Sequence, residues 1–598
     1  MNTLTETSHS NLKMLTGLLF RLLPVQILLA AVGAVNGIVS SYFASNYVGV
    51  DAMSAVGLYS PVNMLISSFS MILVGGSVIL CGEYMGKNRR DSMQGVFSLN
   101  IMLSLLIASA FTVIYIILAI SDMTGFITRD PVIRPLFNRY LLGQAAGLIP
   151  FMLGNSFASF LSLENRGKVT LAASVAFIAV NLLLNYLFVF LLLLNELGLA
   201  LASSLGMWVF MGVQLPFFLS GKTSFRFSPG RADWRESGSV IRIGLPGALT
   251  YVYQTVRGLM VNRLMEIYIG SVAISAFATS DYVMRIFWAV PTGMIAVSRM
   301  MISVSSGEED RQTLADVMRV MFRRFIPLQC IISAAIILCA VPFTGIFYHD
   351  ASAPVFAMTA AGLRILPLCM PFSIICMHFT CYAQVSGKHL LVHLLSVLDG
   401  VVCVAGFSAL LIRLLGINSV YIANVLNGIV TTLVVIVYAW IRKGHFPRSM
   451  EELMVIPDDF GAPEEQRMDI SLHSMEEVVS VAESVQNFCL SRGIDSRRSN
   501  LAGLAMEEMA GNIIDHGFKK DKKPNSVDIR VVHKDDDVIL RIKDDCVPFD
   551  PGERLKMTSD ENAGSDPMKN IGIRMVYKIA RDIQYQNVLG LNVLTLKI

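Results

Sequence analysis

From about residue 17 to about residue 441 apolar residues run in segments of bilayer-spanning length, separated by short polar loops. A span needs about 20 residues plus a loop, so the stretch predicts about twelve helices. Clear examples are "SLLIASAFTVIYIILAI", "VTLAASVAFIAVNLLLNYLFVFLLLL" and "GIVTTLVVIVYAWI". A soluble core hides a few such helices but cannot hide so many in succession. After "RKGHFPRSMEELMVIPDDFGAPEEQR", rich in charge and proline, the period changes to that of a soluble domain. "RMDISL" reads as a strand, and Ser474-x-x-Glu477 as a capping box opening a helix to about Ser491. A second helix runs from about Ser496 to His516. "SVDIRVVHKDDDVILRIKDD" alternates around a polar turn, "IGIRMVYKIARDI" is helical, and "IQYQNVLGLNVLTLKI" closes as a hairpin.

The expected fold class is an α-helical polytopic membrane protein of two six-helix lobes with a C-terminal α/β sandwich. The expected divisions are a tail at 1–16, an N-lobe at 17–220, an inter-lobe loop at 221–238, a C-lobe at 239–441, a linker at 442–466 and a soluble domain at 467–598.

Composition agrees, with 54% hydrophobic and only 16% charged residues in 598. Soluble chains carry about 25% charged residues. A net charge of +3 gives no reason to expect nucleic acid as a partner. Nine scattered cysteines without a C-x-x-C pair support neither a disulfide framework nor a zinc site. No cleavable signal peptide is visible. Basic clusters recur in alternate loops: at Lys87, Arg89 and Arg90; at Arg166 and Lys168; from Lys222 to Arg235; from Arg311 to Arg324; and at Arg442, Lys443 and Arg448. The loop with Arg129, Arg134 and Arg139 dissents. By majority both termini face the cytoplasm of a multi-pass plasma-membrane protein.

The apolar part is an internal duplication. "YVGVDAMSA" at Tyr47 recurs 221 residues later as "YIGSVAISA" at Tyr268. Gly86 before "KNRRD" and Gly307 before "EEDRQ" share that offset, as do Pro150-Phe151 and Pro371-Phe372. Two parallel copies facing each other across an axis normal to the membrane form a carrier architecture, with the substrate path between them. "RLLPVQ", "IRIGLPGAL", "VGVDAMSAVGL", "GGSVILCGEYMGKNRRD" and "YIGSVAISAF" resemble the multidrug and toxic-compound extrusion (MATE) transporters over about residues 12 to 442. The resemblance implies an exporter of small organic solutes driven by a Na+ or H+ gradient. Many members carry an acid late in the first span; Ser40 stands there in this chain, and a serine does not exchange a proton near neutral pH. Ionisable groups inside spans are functional candidates by default. Arg257 and Asp399 are the deepest, and with His378 and Ser40 they make the candidate transport cavity. Pairing with each other or with a carbonyl is the structural alternative. Glu266, Asp281 and Arg285 fall near span ends, where snorkelling explains them.

In the soluble domain "LAGLAMEEMAGNIIDHGF" places Glu508, Asn512 and His516 four residues apart on one helical stripe. Alone, that is also what a solvated face ending at a His-Gly cap looks like. Two later segments add weight: "KDDCVPFDPGE" puts Asp544 at a strand end, and "KNIGIRMV" puts Gly572 at a helix start, where free N–H groups favour phosphate. In this order the three segments resemble the nucleotide-binding fold of histidine kinases, in the compact form of anti-sigma-factor serine kinases. The resemblance implies ATP and Mg2+ as cofactors, with Asn512 holding Mg2+ and Glu508 as the base. It makes Asp544 the acceptor for the adenine amine and Gly572 the phosphate contact, with His516, Pro548 and Phe549 around the nucleotide. Cys546 replaces a family glycine, and Lys569 and Asn570 stand where glycines are usual.

"SGKTS" at Ser220 lacks the first glycine of a phosphate loop and follows no strand. The expected whole is a gradient-driven exporter whose cytoplasmic domain binds ATP and regulates transport, or phosphorylates a partner resembling an anti-sigma antagonist. The alternative is a membrane-bound serine kinase using the carrier fold as sensor. A pump driven directly by ATP fits poorly with a single nucleotide domain.

Overall fold

Apolar chain in lipid must satisfy its backbone hydrogen bonds internally, and the helix does this within each segment. The computed structural model describes residues 14–31, 50–127, 130–220, 223–348, 350–518, 527–534, 537–547, 550–552 and 571–598. The N-lobe comprises α1 (Met14–Ala31), α2 (Val50–Gly86), α3 (Arg90–Ile120), α4 (Ile133–Ala145), α5 (Leu148–Leu163), α6 (Gly167–Tyr186) and α7 (Asn195–Leu219). The C-lobe comprises α8 (Ser237–Tyr268), α9 (Ser271–Phe287), α10 (Ala289–Gly307), α11 (Arg311–Leu338), α12 (Ala340–Phe347), α13 (Pro354–Ile365), α14 (Met370–Val385), α15 (His389–Val397), α16 (Cys403–Leu415) and α17 (Asn418–Lys443).

Among the described residues nine helices are long and apolar enough to span, and the bent pairs α4–α5 and α9–α10 bring the number to eleven. The remaining segment of the expected twelve is α8. Its 32 residues are long enough, but Arg257, Arg263 and Glu266 crowd its second half. Counting α8 and the bent pairs, each lobe has six.

The lobes meet tightly at the end that carries the C-terminal domain. A Cβ on Gly86 would overlap the backbone of Val304, and one on Gly307 would overlap that of Glu83. These two glycines are the ones separated by 221 residues in the duplication. Only glycine at both places lets α2 and α10 cross this closely.

Beyond α17 a short helix, α18 (Met450–Met454), is capped by Ser449 and tied to the C-lobe. Arg311 Nε donates to Glu451 at 2.7 Å, and Lys388 Nζ donates to the carbonyls of Met454 and Val455 at 2.6 and 2.7 Å. The soluble domain follows: β1 (Arg467–Leu472), α19 (Glu476–Ser491), α20 (Ser496–Asn512), β2 (Val527–Lys534), β3 (Asp537–Asp544), α21 (Ile571–Ile579), β4 (Asp582–Val588) and β5 (Leu591–Lys597). The strands form one antiparallel sheet in the order β1-β2-β3-β5-β4.

Alternation sorts the sheet's two faces. Ile529, Val531, Leu540, Ile542, Leu594 and Leu596 pack under the helices with Val485, Met506 and Val576. The opposite face turns to the membrane helices. Two local expectations need correction. Ser474 does not cap α19; the Glu477 carboxylate instead accepts from His473 N at 2.8 Å, because the helix begins one residue later. The helix expected to reach His516 is α-helical only to Asn512, and residues 513–518 widen into a π turn.

Candidate functional site

The stripe on α20 does assemble with the later segments. Asn512 Nδ2 donates to Glu508 Oε1 at 2.9 Å, one helical turn away. Beside this pair lies α21, and a Cβ on its second residue, Gly572, would overlap the Glu508 carboxylate. The missing side chain therefore makes room for a charged group against the free N–H groups of a helix start. With its nitrogen committed to Glu508, Asn512 keeps Oδ1 as acceptor, the atom type Mg2+ takes.

Asp544 ends β3 at 4% exposure. Its Oδ1 accepts from Cys546 N at 2.9 Å and from Asn592 Nδ2 at 2.7 Å. Burial pushes the carboxyl above its ordinary value, while the bonds from Asn592 and Cys546 pull it back. Cys546, at the family's glycine position, is buried and turns toward the π turn: a Cβ on Gly517 would stand 3.0 Å from its Sγ. The glycine at 517 thus accommodates the side chain that 546 gained. The side chain of His516, and Pro548, Phe549, Lys569 and Asn570, lie outside the described residues, as does Ser40.

Sequence reasoning missed Asn592. Its Oδ1 accepts from Tyr585 OH at 2.8 Å and from Asn587 Nδ2 at 2.9 Å, which fixes its amide nitrogen toward Asp544. A polar residue on the core face of an otherwise apolar strand, "LNVLTLKI", was the available signal.

The sheet's other face carries a second polar system, also missed. Arg530 lies 2.5 Å from Asp310 and 2.5 Å from Asp469, and Lys543 lies 2.5 Å from Glu308. Arg541 Nη1 donates to the Glu308 carbonyl at 3.2 Å. Glu308 and Asp310 form the turn between α10 and α11. Burial alone would raise the Asp310 carboxyl, but Arg530, Lys543 and Thr313 outweigh it, and the group sits well below the carboxylate range.

The same face reaches the N-lobe through the β4–β5 turn. Leu589 N donates to Leu163 O at 3.1 Å, Gln586 Nε2 donates to Met85 O at 2.7 Å, and Arg90 donates to Tyr585 O. Val588, Leu589 and Val593 share one buried cluster with Met85, Leu163 and Leu314.

In the membrane part, Asp399 Oδ1 accepts from Asn427 Nδ2 at 2.7 Å, while Arg257 Nη1 reaches the main-chain carbonyl of Asp399 at 3.4 Å. The structure therefore brings Arg257 and Asp399 together through the backbone, with Asn427 as the partner sequence reasoning missed. His378 is apart from them and fully buried. Its Nε2 faces Ser298 Oγ at 2.6 Å and its Nδ1 faces Ile374 O at 2.7 Å, between Phe322 and Phe325. Arg263–Glu266 and Asp281–Arg285 are exposed pairs along their own helices.

These features define a class: a membrane protein of two six-helix lobes bearing an α/β domain in which a helix start faces a carboxylate. Comparison with known proteins places both parts. Residues 28–187 match the MatE family and residues 472–598 match the histidine kinase-like ATPase domain. A probable multidrug resistance protein NorM from Photorhabdus laumondii is 22% identical over 380 residues, covering 60% of this chain and 79% of that protein. A MATE transporter crystallised with MaL6 shares the fold at TM-score 0.67 and 19% identity, over 74% of this chain and 98% of its own. An outward-facing multidrug resistance MATE transporter of the MOP superfamily does so at 0.67 and 18%, over 74% and 97%. Residues 28–187 are thus a MatE domain in a membrane part with the MATE fold, fused to a C-terminal histidine kinase-like ATPase domain.

Proposed function

We infer that the protein is an ion-gradient-driven exporter of organic solutes whose cytoplasmic domain binds Mg-ATP and regulates transport. The observation that carries the nucleotide half is the meeting of Asn512 and Gly572 at the Glu508 carboxylate. Bound Mg-ATP would supply the transferable phosphoryl group and its metal-neutralised charge. The protein's contributions follow from the residues. Asn512 Oδ1 would hold the metal, and the N–H groups at the start of α21 would hold phosphate oxygens. Asp544 would accept from the adenine amine, and Glu508 would orient or deprotonate an attacking hydroxyl. Because the Glu508 carboxylate rests against Gly572, it must swing aside when phosphate enters.

The docking of the sheet on both lobes favours action in cis over phosphorylation of a separate protein, the second reading. Two asymmetric facts argue against an ATP-driven pump: one nucleotide domain serves two lobes, and no phosphate loop is present. For transport, the polar cluster of Arg257, Asp399 and Asn427 is the candidate for solute or ion contact, and Ser40 supplies no proton-exchanging group at the point where many relatives carry an acid.

Flux in liposomes tests the whole. Gradient-driven uptake that ATP modulates, with modulation lost in Asn512→Ala, is the expected result. Uptake that needs ATP and no gradient would mean a pump. Partner phosphorylation without any flux would mean a sensor kinase.

A further inference from the structure

We propose that the β4–β5 hairpin is a latch on the N-lobe, and that occupancy of the adenine site releases it through Asn592 and Tyr585. The proposal rests on the ATP-binding reading above and specifies how that site would regulate the transporter.

Three observations converge. First, the domain grips the two lobes differently. Arg530, Arg541 and Lys543 fasten the sheet to the acidic turn at Glu308 and Asp310, and the linker helix α18 fastens to the same lobe through Arg311 and Lys388. Among the described residues, the domain's hydrogen bonds to the N-lobe come from the hairpin and its flanks, at Leu163, Met85 and Arg90. Opening the lobes at this end must separate Gly86 from Gly307, and the hairpin is the part of the domain that would have to let go.

Second, the hairpin tip is strained in a way that contact explains. Leu589 and Gly590 form the two-residue turn with φ of 56° and 88°. A left-handed leucine costs about 1–2 kcal/mol. Its side chain is only 3% exposed and lies in the cluster with Met85 and Leu163. Burying a leucine is worth about 1.5–3 kcal/mol. Undocked, the turn keeps the strain and loses the burial, so its closed geometry belongs to the docked state.

Third, the hairpin is wired to the adenine site. Tyr585 OH and Asn587 Nδ2 both bond Asn592 Oδ1, and Asn592 Nδ2 bonds Asp544 Oδ1. Tyr585 and Gln586 are the hairpin residues that also meet Arg90 and Met85. Asp544 Oδ1 already accepts from Asn592 Nδ2 and from Cys546 N, so an adenine amine donating to that same oxygen competes with Asn592 for it. Displaced from Asp544, the Asn592 amide swings toward the Cys546 carbonyl, 3.2 Å away, which shifts Tyr585 and Asn587 together, and the strained tip disengages. The coupling passes through one carboxylate, one amide and one phenol.

The test uses the full chain in nanodiscs with the pair Asn165→Cys and Gly590→Cys, whose single variants serve as controls for the native thiols. A Cβ built at Gly590 stands 3.2 Å from the Asn165 Cβ, near the separation a disulfide requires. Mild oxidation should link the pair rapidly without nucleotide. Saturating Mg-AMP-PNP should slow linking about tenfold, the equivalent of a coupling free energy of about 1.4 kcal/mol. Tyr585→Phe in this background should keep nucleotide binding, followed by a fluorescent ADP analogue, and lose the slowing. Failure to link under any condition would overturn the docked latch. Linking that nucleotide leaves unchanged or accelerates, with binding intact, would overturn the coupling alone. Absence of nucleotide binding would remove both this proposal and the ATP-binding reading beneath it.

Discussion

Asp310→Asn isolates the charge that fastens the soluble domain to the C-lobe. Asp310 is the N-cap of α11, with Oδ1 accepting from Thr313 N at 2.8 Å, and asparagine caps a helix about as well as aspartate. The Thr313 hydroxyl, 2.7 Å from Oδ2, can rotate to accept from the new amide. What the substitution removes is the partner of Arg530, whose side chain is 14% exposed. Breaking a buried pair costs about 3–5 kcal/mol. Asp469 stays 2.5 Å from the guanidinium and compensates in part, so about 2–3 kcal/mol is expected. The ratio of docked to undocked domain should then fall by about 30- to 150-fold. Hydrogen exchange reads this directly, because the amide of Leu589 bonds to Leu163 only in the docked state. Exchange there should accelerate by that factor, while amides in the sheet centre, such as Leu540, keep their protection. The pH dependence has a definite sign. The Asp310 carboxyl lies below its ordinary 3.8, so its contribution is complete above that value and is lost as pH falls through the depressed one. Docking should therefore not respond to Asp310 ionisation between about pH 5 and 8. Unchanged exchange at Leu589 in Asp310→Asn, or additivity of Asp310→Asn with Arg530→Met, would refute the account of the interface.

Four further outcomes follow from the two sites. Gly572→Ala places a methyl group in the Glu508 carboxylate and should weaken Mg-ATP binding at least about tenfold by titration calorimetry of the full chain, with the fold retained by circular dichroism. Glu508→Ala removes the carboxylate at that helix start and should keep or improve nucleotide affinity while abolishing any hydrolysis; weaker binding would show that the residue is a nucleotide contact. Asp399→Asn retains an acceptor for Asn427 Nδ2, so a fall in flux or a changed pH profile in vesicles would assign a charge-dependent role, and identical transport would leave the residue structural. Burial, with Lys443 and Arg442 nearby, lowers the Lys388 ammonium from 10.5 to about 7. Protection of the linker amides at 451–457 should therefore grow as pH rises from 7 toward 10, corrected for intrinsic exchange, and Lys388→Met should flatten that slope.

What the sequence disclosed depended on how local its signal was. Apolar run length revealed the helices, and the α8 segment was legible although its charges keep it from resembling an ordinary span. Glu508 and Asn512 were legible because one helical turn joins them, and Gly572 because a helix start needs no partner to be recognised. Asn592 and Tyr585 were not, since their meaning depends on β5 pairing with both β3 and β4, a register that alternation alone does not fix. At His378 the structure adds partners that the sequence does not name. An imidazole in an apolar run reads as a cavity group, but Ser298 and Ile374 satisfy both nitrogens inside the C-lobe. The helix through His516 was drawn too regular, since the i, i+4 stripe carries no information about where a π turn relaxes the spacing.

The turns that follow Gly86 and Gly307 also explain why one domain can sit on two six-helix lobes in a single orientation. The turn after Gly86 reads "KNRRD" and its counterpart after Gly307 reads "EEDRQ", so the two copies present opposite charge at equivalent places. The sheet offers Arg530, Arg541 and Lys543 as one cationic face, and only the second turn is acidic enough to receive it. Rotated by half a turn about the lobe axis, the same face would meet Lys87, Arg89 and Arg90, leaving Lys543 and Arg541 against like charge and Arg530 with Asp469 alone, a cost of several kcal/mol for the ion left without a partner. Electrostatics thus fixes the rigid attachment to the C-lobe, and the N-lobe receives the apolar, hydrogen-bonded hairpin. An attachment that is charged on one side and apolar on the other suits a regulator, because the apolar contact can open without exposing unpaired charge.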